Sequence, residues 1–374
     1  MNKLYLIIIF FLNFYIHAYC QVNHNQLTHY KIGVLPQGKL NAITDVEGVK
    51  VGHTTVVEGE SIQTGVTAIL PHGKNIFQQK VPAAIYIGNG FGKLAGSTQV
   101  NELGNIETPI ILTNTLSVST AIDAVVNYTL HQKGNENIQS VNAVVGETND
   151  GWLNDIRNNH ITKEHVLSAI KNATHTNTEQ GNIGAGTGTV CFGFKGGIGT
   201  ASRKLPKSLG GFTVGVLVQS NFGGVLQING VPVGEELKKF SFSNQLLNNV
   251  DGSCMIIVAT DAPLDQRNLE RLAKRAFMGI AKTGGIASNG SGDYVIAFST
   301  AYTIPHTPVN SVDSIPILHN DFTSPLFMAA IEATEQAIVN SLLFAQTTTG
   351  FKNRTVEALD KNKLIEILKK YNRQ

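Results

Sequence analysis

Cysteine is scarce in this chain, with three in 374 residues. Cys20 falls at the end of an apolar N-terminal stretch, which leaves Cys191 and Cys254 for the body of the protein. Two cysteines make no disulfide framework. They could pair in an oxidising compartment, but Cys254 opens the apolar run CMIIVAT and reads better as a buried free thiol. Charge of one sign is also lacking: 29 Lys and Arg stand against 27 Asp and Glu, so neither nucleic acid nor an anionic membrane surface is an expected partner. The histidines, among them His53, His72, His160, His165 and His306, are scattered without HExxH or paired ligand spacing, so no metal is expected. GxxxxGK[ST] does not occur, and the glycines of GNIGAGTGTVCFGFKGGIGTASR lack the spacing and later acidic residue of a dinucleotide site. No cofactor is implied. That segment fits close strand packing or a substrate-facing backbone equally well.

A membrane-spanning run is missing too. Lys3 precedes an apolar stretch from Leu4 to Tyr15, too short to cross a bilayer, and Ala18-Tyr19-Cys20 follows. Those are the basic, apolar and small-residue parts of a secretory leader. Cleavage after Cys20 would leave Gln21 as the first residue of an exported protein, secreted or periplasmic. A lipid-anchored Cys20 is the alternative, with Tyr19 a poor residue to precede it.

The rest, 21–374, shows no linker-like break or repeat and reads as a single α/β (α+β) domain with many glycine turns. GVTAILPHG, PAAIYIGNGFGKLAG, VNAVVGE, FTVGVLVQS, SCMIIVAT and DYVIAFS read as strands. Apolar spacing predicts helices over Val118–Leu130, about Thr162–Ala173, and from Leu269 through Ile280 to Gly284. Asp261-Ala262-Pro263 is expected to cap the last of these. Ser324-Pro325 opens another helix through Leu343, and Val356–Lys370 is a charged, peripheral one. Residues 241–249 are expected to form a polar loop.

The stretch with most chemistry in it is SNGSGDYVIAFSTA. Ser291 lies between Gly290 and Gly292, where a glycine turn runs into a buried strand. A hydroxyl beside its own preceding carbonyl can attack it and cut the chain between Gly290 and Ser291. The new N-terminal serine would carry a nucleophile together with its own α-amine, a base titrating near pH ~8. Two further side chains sit at strand ends. Asn221, after TVGVLVQS, could point amide N–H groups at an oxyanion, a contact worth about 3 kcal/mol. Glu147 closes VNAVVGE, a carboxylate at the end of an apolar strand that the following Asn149-Asp150-Gly151 turn does not explain. A plain turn at NGSG and an Asn that merely starts the NFGG turn are the bland alternatives.

From about Ile32 to Thr349 these motifs resemble, in order, the DmpA family of L-aminopeptidase/D-amidase/D-esterases and the related β-peptidyl aminopeptidases (peptidase family S58). The resemblance implies an αββα sandwich of the DmpA/ornithine acetyltransferase type, self-cleaved into an α chain, 21–290, and a β chain, 291–374. It implies an aminopeptidase that releases N-terminal residues from small peptides, amides or esters through an acyl-enzyme on Ser291. Asn221 would then stabilise the oxyanion and Glu147 the substrate ammonium, and αβ units would form a homo-oligomer. Ser314, in SVDSIPIL, is the candidate for a second serine supporting the nucleophile. The glutamate two residues on is replaced by Pro316, and Glu332 or Glu335 could stand in for it. Gly290 resembles the DmpA branch. Rival readings are a β-peptidyl aminopeptidase, an acyltransferase of the ornithine acetyltransferase type, which uses threonine, and an inert exported binding protein.

Overall fold

The computed structural model describes Leu27 and residues 30–242 and 252–373. The expected leader, and all but the first two residues of the expected loop at 241–249, lie outside them. Twelve strands of the described residues build two sheets. These are β1 Lys50–Glu58, β2 Ile62–Leu70, β3 Gln79–Gly90, β4 Leu94–Ala95, β5 Asn105–Ile106 and β6 Ile110–Asn114, then β7 Val144–Thr148, β8 Gly197–Lys204, β9 Thr213–Asn221, β10 Ser253–Thr260, β11 Gly292–Ser299 and β12 Ile304–Pro305. Sheet order is β1-β2-β6-β7-β4 in the smaller, and β8-β9-β10-β11-β3-β12, with β5 beside β3, in the larger. The principal helices are α1 Ser97–Leu103, α2 Val118–Leu130, α3 Lys163–Lys171, α4 Gln266–Lys282, α5 Ser324–Leu343 and α6 Lys361–Lys370.

Period-two alternation assigns each strand face to a layer. On β9–β11, Val216, Val218, Ile256, Val258, Val295 and Ala297 point towards α4 and α5. Their neighbours Leu217, Met255, Ile257, Tyr294, Ile296 and Phe298 meet Ile69, Leu112 and Val144 of the smaller sheet. The smaller sheet's other face, with Ala68, Ile111 and Val145, is covered by α2 and α3 through Ala121, Val125, Val166 and Ile170. The result is the αββα sandwich. Strands buried on both faces read as continuous apolar runs, which is why they are visible in the sequence. Each fully buried Leu, Ile or Val contributes about 2 kcal/mol of transfer free energy.

Three local expectations are corrected. The cap of α4 is Asp265, which accepts from Asn268 N, whereas Asp261 accepts from Thr213 N at 2.6 Å. Asp261 thus binds a neighbouring strand and Pro263 precedes the helix. The last helix begins at Lys361, because 354–356 pairs with 348–350 as a strand. Glu332 and Glu335 are buried. Glu332 accepts from the backbone N–H of Val34 and Leu35 and from buried Arg203 at 3.1 Å, and Glu335 pairs with Lys282 at 2.8 Å.

The glycine-rich segment packs closely. A Cβ on Gly199 would lie 1.9 Å from Ala337 O of α5, and one on Gly188 2.2 Å from Gln63 O. Cys191 and Cys254 are both buried free thiols.

Candidate active site

Register brings two of the sequence candidates, Asn221 and Ser291, to one end of the larger sheet. Asn221 pairs with Ser253, Ser253 with Gly292, and Gly292 with Gly90. One row across β9, β10, β11 and β3 therefore sets the ends of the strands that carry Asn221 and Ser291 about 10 Å apart, two strand spacings. The loops after Asn221 and before Ser291 are tied together as well, with Val225 N donating to Gly284 O at 3.0 Å. Their approach requires glycine: a Cβ on Gly284, whose φ is +86°, would stand 1.8 Å from Val225 O.

Ser291 is buried immediately before β11. Its hydroxyl donates to Asp293 Oδ1 at 2.8 Å and its N–H to Ser288 O at 2.9 Å. Asn89 Nδ2 donates to both Ser288 O (2.7 Å) and Ser291 O (2.6 Å), stitching the turn to β3. Burial raises the Asp293 carboxyl to about 6, against the opposing effect of the Ser291 hydroxyl and the Cys254 backbone.

Asn221 ends β9, buried, with both ends of its amide engaged. Oδ1 accepts from Val190 N at 2.9 Å, and Nδ2 donates to Asn149 O at 3.1 Å. A primary amide carries two N–H groups, so one remains for an oxyanion while the ring of contacts fixes its plane. Behind it lies a buried pair of opposite charge type, Asp150 and Lys195. Burial drives both to about 7, the acid upwards and the base downwards, and their mutual attraction opposes each shift.

Glu147, in β7, is buried and accepts from Lys93 N at 2.9 Å and from the Thr115 hydroxyl. Burial raises its pKa, and Lys93 opposes the rise, with Nζ 4.0 Å from Oε1. The Phe91-Gly92 backbone bridges Glu147 to the serine turn. A Cβ on Gly92 would lie 3.0 Å from Glu147 Oε1, and one on Gly292 2.6 Å from Phe91 O. Ser291, Asn221 and Glu147 thus share one site.

Ser314 is not brought to it. It is exposed, and the flanking contacts, Pro305 with Gln79 and Leu318 N with Pro263 O, anchor its segment at the opposite end of the larger sheet. The residues missed from sequence are Asn89, Thr115 and Lys93, together with any role for Asp293. NGFGK after an apolar strand was the available signal for the 89–93 stretch.

No group of three or more His, Cys, Asp or Glu among the described residues could hold a metal ion. The site offers a hydroxyl, an oriented amide and a buried carboxylate, the parts needed for acyl transfer from a substrate with a cationic end.

Comparison with known proteins agrees. The model of peptidase family S58 matches residues 41–356. The chain is 41% identical over 361 residues to the β-peptidyl aminopeptidase BapA of Sphingosinicella microcystinivorans, covering 90% of this chain and 89% of that one. A crystal structure of a Pyrococcus horikoshii OT3 protein superposes with a TM-score of 0.86 at 49% identity, over 93% of this chain and 99% of that one. The L-aminopeptidase D-Ala-esterase/amidase of Ochrobactrum anthropi, described as a new variant among the Ntn hydrolase fold, superposes at 0.85 with 35% identity, over 91% and 97%. The chain belongs to peptidase family S58: it is an aminopeptidase of the N-terminal-nucleophile hydrolase fold.

Proposed function

We propose that the chain cuts itself between Gly290 and Ser291, and that Ser291 then releases N-terminal residues from small peptides, amides or esters through an acyl-enzyme. The observation that carries this reading is a buried serine hydroxyl and an oriented asparagine amide at one end of the larger sheet, with the buried Glu147 of β7 in the smaller sheet linked to them through Phe91-Gly92. After the cut the Ser291 α-amine takes the hydroxyl proton, and Oγ attacks the substrate carbonyl. The free N–H of Asn221 receives the oxyanion. Glu147 binds the substrate ammonium, in the position that Lys93 Nζ approaches from outside. Water completes the cycle by hydrolysing the ester. The similarity to a protein named as a β-peptidyl aminopeptidase supports substrates with a β-residue at the N-terminus, while Gly290 and the likeness to the L-aminopeptidase D-Ala-esterase/amidase support α-residues as well. The leader ending at Cys20 supports export, to the periplasm or beyond, and αβ units assembling as a homo-oligomer complete the proposal.

A hydrolysis panel tests the substrate reading. It pairs α- and β-aminoacyl anilides, D-amino acid amides and esters with their N-acetylated counterparts. Free amines should be cleaved, β-residues foremost. Acetylated substrates turned over equally well would remove Glu147 from the account, and no cleavage of any member would remove the aminopeptidase reading.

A further inference from the structure

The base proposed for turnover, the Ser291 α-amine, does not exist before the chain is cut. In the continuous chain that nitrogen is a peptide N–H donating to Ser288 O. Self-cleavage therefore needs a different proton acceptor. The Ser291 hydroxyl donates to Asp293 Oδ1 at 2.8 Å, and both side chains are buried. Asp293 Oδ2 is buried without a hydrogen-bond partner among the described residues, so the carboxylate is neither neutralised by a cation nor fully solvated by donors. An under-satisfied buried carboxylate is a stronger base than one in water.

We propose that Asp293 is the catalytic base of the self-cleavage and the acid that releases the new N-terminus. This rests on the cut at Gly290–Ser291 proposed above. The Ser291 Oγ–H proton passes to Asp293 as the Oγ electron pair forms a bond to the Gly290 carbonyl carbon. The tetrahedral centre collapses by breaking the Gly290–Ser291 C–N bond, and Asp293 returns the proton to the departing nitrogen, now a primary amine. Water hydrolyses the resulting ester, leaving the Gly290 carboxylate and restoring the Ser291 hydroxyl.

The groups whose titration is coupled to that of Asp293 are Cys254 and Tyr294. Across on β10 stands Cys254, whose thiol is pushed well above its usual range. On β11 itself the Tyr294 phenol is raised, mainly by burial, with Glu147 and Asp293 adding to it. Asn89 on β3 is uncharged, and α4 brings apolar Leu272, Ala276 and Ile280 to the cluster containing Val295. Neither Cys254 nor Tyr294 changes charge between pH 5 and 8. Asp150 and Lys195 titrate at about 7 and Glu147 is also raised, so the fall that belongs to Asp293, itself raised to about 6, is the one that Asp293→Asn removes and Glu147→Gln keeps.

The test starts from uncut precursor recovered unfolded in denaturant and diluted into buffers from pH 5 to 7. Mass spectrometry follows the fragment beginning at Ser291, and refolding is followed separately by fluorescence of the Ser291→Ala chain. The parent's maturation rate should fall about tenfold per pH unit below about 6. Asp293→Asn should refold but mature at least about a hundredfold more slowly, without that pH dependence. Should the variant fail to refold, the profiles of the parent and of Glu147→Gln decide together: both should fall below about 6. A parent rate flat from pH 5 to 7, or an Asp293→Asn chain maturing within about threefold of the parent, overturns the role of Asp293 while the cut stands. A folded parent that never yields a fragment starting at Ser291 overturns the cut and this inference together.

Discussion

Ser291, Asn221 and Glu147 are each the last or first polar residue beside an apolar strand, and that position made them legible. A buried strand that ends on a carboxylate or carboxamide has a polar group to satisfy, and the run itself marks where the end falls. Asp293 and Asn89 were harder to read, because their roles depend on register: β11 and β3 are brought side by side from positions two hundred residues apart in sequence. Ser314 was carried by resemblance alone, with no strand end or partner behind it. The prediction at this scale concerns Glu147. Glu147→Gln keeps the shape and the contact from Lys93 N but loses the charge. It should cost roughly 1–3 kcal/mol in kcat/KM for free-amine substrates, about tenfold to a hundredfold. Because burial raises the Glu147 pKa, the parent's substrate affinity should weaken as pH falls through that raised value, and the variant should lose this acid limb. Kinetics on free and acetylated substrate pairs check both. Equal losses on the two classes would make Glu147 a support of the fold.

Elements were readable where one periodicity ran uninterrupted. Val118–Leu130 and Ser324–Leu343 appear with their expected bounds. Misreadings came where a local signal competed with a tertiary one: Asp261-Ala262-Pro263 has the composition of a cap, but the aspartate is claimed by Thr213 N. The carboxylates of α5 look like surface charges until its packing is known. Glu332 instead closes a buried pair with Arg203 and ties down residues 34–35. Arg203→Leu would leave a buried carboxylate without its cation, at a cost of about 3–5 kcal/mol. Gly199→Ala would force a Cβ into the α5 backbone at Ala337 O. Both should lower the thermal midpoint by many degrees relative to the parent in a calorimetric scan. An unchanged midpoint in either would mean that α5 does not pack on β8 as described.

For the whole molecule, the proposed cut falls between strands of one sheet. β11, which would open the second chain, pairs with β10 on one side and β3 on the other, and α5 lies across β8 and β9. Separating the two chains would expose the centre of the core, so the cut chains should co-elute under native conditions and part only in denaturant. Elution of the 291–374 fragment alone from a native column would contradict the layering.

The central claim, that Ser291 becomes an N-terminal nucleophile, is tested most directly by intact-mass analysis of the purified folded protein beside its Ser291→Ala variant. The account predicts two chains from the parent, the second starting at Ser291, and one uncut, inactive chain from the variant. A parent that stays a single chain while hydrolysing substrates, or a Ser291→Ala chain with normal turnover, would contradict it.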